Sequence, residues 1–125
     1  MYCVKILYPR RPGSPFRFNL KHYFEVHIPL GLRLLRQHID CSPARVECDV
    51  NCAPMDGSAQ ARYHLIASLY FANRDDAEGF KRLFAIPAAA DQLKADWPNF
   101  TELAPEVSGA ELMRFDPISG KPIEP

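Results

Sequence analysis

Apolar and polar positions alternate along residues 2–8, with Val4, Ile6 and Tyr8 on one side and Cys3, Lys5 and Leu7 on the other. That period of two predicts a strand. Pro9, Pro12, Gly13 and Pro15 break the pattern and predict a loop that carries Arg10 and Arg11. From Leu20 the spacing changes: apolar residues at 20, 24, 28, 31 and 35 follow helical intervals, and Asn19 stands where a cap is needed. A helix is predicted over 20–38. Strict alternation returns at 45–52, where Val46, Cys48, Val50 and Cys52 oppose Arg45, Glu47, Asp49 and Asn51, the pattern of a strand with one dry face. After a polar turn at 53–60, a third strand is predicted over 62–71. Its two sides are both bulky, Tyr63, Leu65, Leu69 and Phe71 against His64, Ile66 and Tyr70. Asn73 and Asp76 resemble a capping box that opens a second helix through Ala77, Phe80 and Phe84. Pro87 interrupts it, and a short helical piece is expected to continue to about residue 95. A fourth strand is expected over 101–113, and the tail 114–125, rich in proline, is expected to be irregular.

The predicted order is βαββαβ, an α+β, ferredoxin-like arrangement: a four-stranded antiparallel sheet with helices on one face. The other face is left bare and carries apolar side chains, so it needs a partner. A second copy is the simplest one, and a homodimer packed through the open sheet face is expected. Residues 1–113 would form the domain and 114–125 a tail.

Composition narrows the choice of partners. The chain has 125 residues, enough for one domain with a real core, and 47% hydrophobic and 24% charged residues are ordinary values for a globular protein. Fifteen basic and fifteen acidic side chains cancel, so no global field draws the chain to nucleic acid or an anionic membrane. No apolar run approaches the roughly 20 residues that span a bilayer. The run Met1–Pro9 is too short for a signal peptide, and a cytoplasmic location with reduced thiols is expected. Cys3, Cys41, Cys48 and Cys52 match no zinc spacing and read as small hydrophobes.

The residues most like chemistry lie in the first helix. His27 is predicted beside Phe24, Ile28 and Gly31 on the buried face, and Pro29, two residues on, cannot donate to the carbonyl of Glu25. The helix should be kinked or locally open within reach of the imidazole. A buried histidine is neutral near pH 7 and suited to act as a general base; it is also a common way to fill a core with one hydrogen bond. Tyr23, one turn earlier, would orient His27, donate to a developing oxyanion, or simply edge the core. Arg10 or Arg11 would clamp a carboxylate or phenolate, or stay solvated. Tyr8, Phe24, Tyr70, Phe80, Phe84, Trp97 and Phe100 would line a pocket for a flat apolar ligand or form plain core. His22 and His38 fall on the polar side of the helix, and His64 could point at a dimer interface. No metal pair, serine elbow, phosphate loop or dinucleotide fingerprint appears, so no metal and no cofactor is expected.

Leu7-Tyr8-Pro9-Arg10-Arg11-Pro12-Gly13, Phe18, Tyr23-x-x-x-His27-x-Pro29-Leu30 and Ala95-Asp96-Trp97-Pro98-Asn99-Phe100-Thr101-Glu102 together resemble the EthD family, linked by name to ethyl tert-butyl ether degradation. The resemblance runs over roughly residues 3–110. It departs where the family has an aspartate after the Phe18 position and two tyrosines in the helix; here Asn19 and His22-Tyr23 stand. The resemblance implies a dimeric α+β barrel, with the family's motif histidine at His27 and its motif tyrosine at Tyr23. Relatives of that architecture include cofactor-free monooxygenases, isomerases, cyclases and decarboxylases, and also haem-handling proteins. Two readings follow. One is a small cofactor-independent enzyme acting on an aromatic or polyketide-like molecule, with His27 and Tyr23 catalytic and Tyr8, Arg11, Phe24, Tyr70, Phe84 and Trp97 against the substrate. The other is a non-catalytic or stress-associated binder of an apolar small molecule or haem.

Overall fold

In the computed structural model, which describes residues 1–123, strand β1 (Tyr2–Pro9) lies in the middle of a four-stranded antiparallel sheet. It pairs with β3 (Tyr63–Phe71) on one side and β4 (Glu106–Glu111) on the other, and β2 (Arg45–Val50) closes the far edge against β3. The order β2-β3-β1-β4 is the ferredoxin-like split arrangement that the element order predicts. The dry side of β1 meets its counterpart on β3 in register, with Val4 opposite Leu69, Ile6 opposite Ala67 and Tyr8 opposite Leu65.

The helices cover that side. The first begins as α1 (Leu20–His22), capped by the Asn19 side chain accepting from the His22 amide at 3.1 Å. It widens into a π-turn over Tyr23–His27 and continues as α2 (Ile28–Ile39), ending at Asp40 with φ +56°. The widening has a local cause. Pro29 lacks an N–H and its ring collides with the carbonyl four residues back, so the helix relaxes into an i→i+5 turn instead of breaking. Asn73 accepts from the Asp76 amide at 2.9 Å to open α3 (Arg74–Leu83), and Pro87 begins α4 (Pro87–Asp96) at a position that needs no donor.

Two buried clusters result. Val4, Leu34, Leu35, Leu69, Phe71, Phe80 and Leu83 belong to the larger one, built between α2, α3 and the sheet. Tyr8, Tyr23, Leu65, Ala67 and Phe100 form the smaller, at the end of the sheet where the π-turn sits.

Several expectations are corrected. β2 stops at Val50 because Asn51 takes φ +53°, and Val50 and Cys52 are exposed at the far end of this edge strand, whereas Val46 packs on the core. Residues 101–105 are irregular and β4 starts only at Glu106. The tail is not irregular throughout: β5 (Arg114–Phe115) pairs with β6 (Pro122–Ile123), and Asp116 accepts from the Ile118 and Ser119 amides to make the turn between them. Residues 124 and 125 lie outside the described residues. The open sheet face is more polar than expected. Lys5 donates to Ser68 at 3.1 Å, and the Arg45 guanidinium lies 4.0 Å from the Tyr70 ring centroid while pairing with Glu47. Leu7 and Ile66, opposite one another, supply the apolar part. No helix among the described residues is long and apolar enough to cross a membrane.

Candidate functional site

The π-turn decides what His27 faces. Tyr23 and His27, four residues apart, are both buried and stack with ring centroids 5.6 Å apart and an interplanar angle of 20°. Phe24 is turned outward and is 43% exposed, so the helical stripe expected to include it is broken at the π-turn. An added residue in one turn shifts every side chain before it relative to those after.

The partner of His27 comes from 69 residues away. Its Nδ1 lies 2.9 Å from Oδ2 of Asp96, the last residue of α4. The other carboxylate oxygen, Oδ1, lies 2.8 Å from Nε2 of His22 and accepts from Nδ2 of Asn99 at 2.9 Å. Burial alone would raise the carboxyl of Asp96, but hydrogen bonds from Asn99, His22 and His27 outweigh it and hold the group below its usual range. An ionised carboxylate only accepts, so both imidazole nitrogens that face it carry the proton. His27 is thereby the Nδ1–H tautomer, with a lone pair on Nε2. Burial pushes its pKa down against the pull of Asp96, and the ring is neutral near pH 7.

Segment 97–101 holds this pair in place. Trp97–Asn99 forms a single 3₁₀ turn, and the Asn19 amide donates to the Phe100 carbonyl at 3.0 Å, fastening the start of α1 to the end of α4. The Phe100 ring is fully buried, 4.5 Å from His27 and 5.0 Å from Tyr23 between ring centroids.

Between the two hydrophobic clusters runs an almost wholly apolar slot. Tyr8, Tyr23 and His27 stand at one end, with Gly31, Leu35, Ala67, Phe80, Phe84, Leu93 and Trp97 along its walls and Val107 at the β4 edge. Its free interior is narrow, about 50 Å³. Burial pushes the pKa values of the Tyr8 and Tyr23 phenols up, so both stay neutral.

Of the eight residues read as catalytic or against the substrate, Tyr8, Tyr23, His27, Phe84 and Trp97 meet at the slot. The other three do not. Arg11 is 65% exposed and leans toward Glu102, Phe24 faces outward, and Tyr70 lies on the opposite face of the sheet beneath Arg45. His22, expected to be solvated, is half-buried on Asp96. His64 is buried rather than presented to a partner, with Nε2 2.6 Å from Oε2 of Glu102. Asp96 was missed because nothing in local spacing relates it to His27; its only trace is its place in the run Ala95–Glu102. The cysteines form no disulfide, and among the described residues no three His, Cys, Asp or Glu side chains are grouped to hold a metal ion.

Comparison with known proteins gives the context. The fold is similar to that of an EthD-like protein from Ralstonia eutropha JMP134, with a TM-score of 0.66 and 21% identity over 88% of this chain and 89% of that one. It is also similar to an ethyl tert-butyl ether D (EthD) family protein from Bacillus halodurans C-125, with a TM-score of 0.54 and 17% identity over 90% of this chain and 99% of that one. None of the curated proteins matches the sequence. A family model described as the EthD domain matches residues 12–104, and the chain therefore belongs to the EthD family.

Proposed function

We propose that the chain is a small cofactor-independent enzyme that removes a proton from a flat, largely apolar small molecule of aromatic or polyketide-like character. The observation that carries this reading is the locked tautomer of His27: Asp96 takes Nδ1–H, and His27 lines the slot with a basic nitrogen free. The slot supplies the rest. Its apolar walls exclude water, and the Tyr8 and Tyr23 hydroxyls stand at the same end as His27, available to a developing enolate or phenolate oxygen. In the step itself, His27 Nε2 takes the substrate proton, the imidazolium is held by the Asp96 carboxylate, and the electron pair left behind moves onto the substrate oxygen.

Native mass spectrometry of the purified protein tests the ligand class first, by releasing a bound aromatic or polyketide-like compound. That compound is then incubated with wild type and with His27→Ala. Conversion by wild type, lowered about 10²–10⁴-fold in the variant, is the expected result. Equal conversion by both, or a compound that neither changes, overturns the catalytic reading; the second outcome makes the chain a binder.

A further inference from the structure

The chain carries a second histidine–carboxylate pair, and it borders a cavity of its own. His64 is 2% exposed, its Nε2 bound to Glu102, and its ring sits between Phe16 and Phe18 with centroids 5.8 and 5.7 Å away. Glu102 also accepts the Arg11 amide at 3.3 Å, which fastens loop 10–18 over the end of the sheet. Beside this pair, Arg10, Arg17, Asn51 and His64 line an open, mainly polar cavity of about 210 Å³, whose apolar part comes from Phe16, Phe18, Leu20 and Val50. Phe18 separates it from the slot, packing on Tyr8 and Tyr23 with its other contacts.

The charge of this cavity is unbalanced. Arg10 is half-buried and held still by two neutral acceptors, Nε donating to the Ala61 carbonyl at 3.0 Å and Nη2 to Asn51 Oδ1 at 3.2 Å. Among the described residues neither Arg10 nor Arg17 has a carboxylate within 4.0 Å, whereas Arg11, Arg45 and Arg74 each have one. A fixed guanidinium whose charge is met only by dipoles, with a second arginine lining the same cavity, suits an anion. We propose that this cavity binds a small oxyanion, a carboxylate or a phosphate, on Arg10 and Arg17, with Asn51 and His64 at its wall. This site goes beyond the reaction assigned to His27 and does not depend on it.

Thermal unfolding of the full chain is measured against increasing sodium phosphate and, separately, sodium succinate, each matched in ionic strength by sodium chloride. A saturable rise in Tm over chloride is expected for at least one of them, and which one distinguishes the source of the oxyanion. Saturation separates a site from the general stabilisation by excluded anions, which does not saturate. Arg17→Gln, at an exposed position, should weaken the effective affinity about 10–100-fold, and Arg10→Gln likewise if it folds. His27→Ala should leave it intact. No saturable rise with either anion, or a rise that Arg17→Gln leaves unaltered, overturns the proposal.

Discussion

Asp96 carries one charge and receives three hydrogen bonds, and this fixes the protonation of two histidines at once. Ring nitrogen shifts by NMR should report Nδ1–H at His27 and Nε2–H at His22. Asp96→Asn, whose amide both donates and accepts, should scramble both assignments. The same coupling sets a pH dependence. Burial holds His27 below its ordinary value of 6.5, so the ring should titrate below that pH, and its function as a base should fade on acidification through the lowered pKa. The folded-state pKa values of His27 and Asp96 are both depressed, so the unfolded chain binds more protons in each window. Stability from His27 is therefore complete above 6.5 and falls as pH drops toward its lowered value; that from Asp96 is complete above 3.8 and falls below it. Urea midpoints should be lower at pH 5 than at pH 7.5. A midpoint that rises on acidification, or a His27 titration above 6.5, contradicts this account.

At the level of elements, two helical glycines behave oppositely. Gly31 lines the slot from α2, and a methyl group there would meet only Leu93 Cδ2 at 3.9 Å, an ordinary contact. Gly31→Ala should therefore raise stability by about 0.5–1 kcal/mol through reduced backbone entropy, while narrowing the slot. Gly79 sits in α3, where a methyl would come within 2.9 Å of Ile39 Cγ2, a branched side chain with little freedom to move. Gly79→Ala should cost about 1–3 kcal/mol, because the two helices must separate to admit it. Chemical denaturation of both variants checks the signs. The π-turn is the third feature of this scale. It turns Phe24 out, Tyr23 in, and stacks Tyr23 on His27, all through the missing donor of Pro29.

For the whole molecule, the open face of the sheet remains without a covering layer, and Leu7 and Ile66 give it an apolar centre beside Lys5, Glu47 and Asp49. We propose a homodimer packed through this face. Light scattering should give twice the chain mass of 14.2 kDa, and Ile66→Glu should give a monomer; a monomeric wild type contradicts it. The balance between sequence and tertiary structure is clearest at this scale. Alternation along 2–8, 45–52 and 62–71 and the caps at Asn19 and Asn73 were enough for three strands of the sheet and its helices, to within a residue or two at the ends, because period and capping are local properties. The same local logic placed His27 inside, left Tyr23 at the site or at the edge of the core, and flagged Pro29 as a fault in the helix. It could not find Asp96, because a carboxylate 69 residues away becomes a neighbour only when the end of α4 docks on the start of α1. Nor could it turn Phe24 outward or set Tyr70 on the far face, since a one-residue slip in a turn and the choice of sheet face depend on how layers pack. Thus the sequence determined the main sheet and its helices, their order and a buried histidine. The tertiary structure alone decided which nitrogen of that histidine is free, what it faces, and that a second histidine–carboxylate pair borders a cationic cavity.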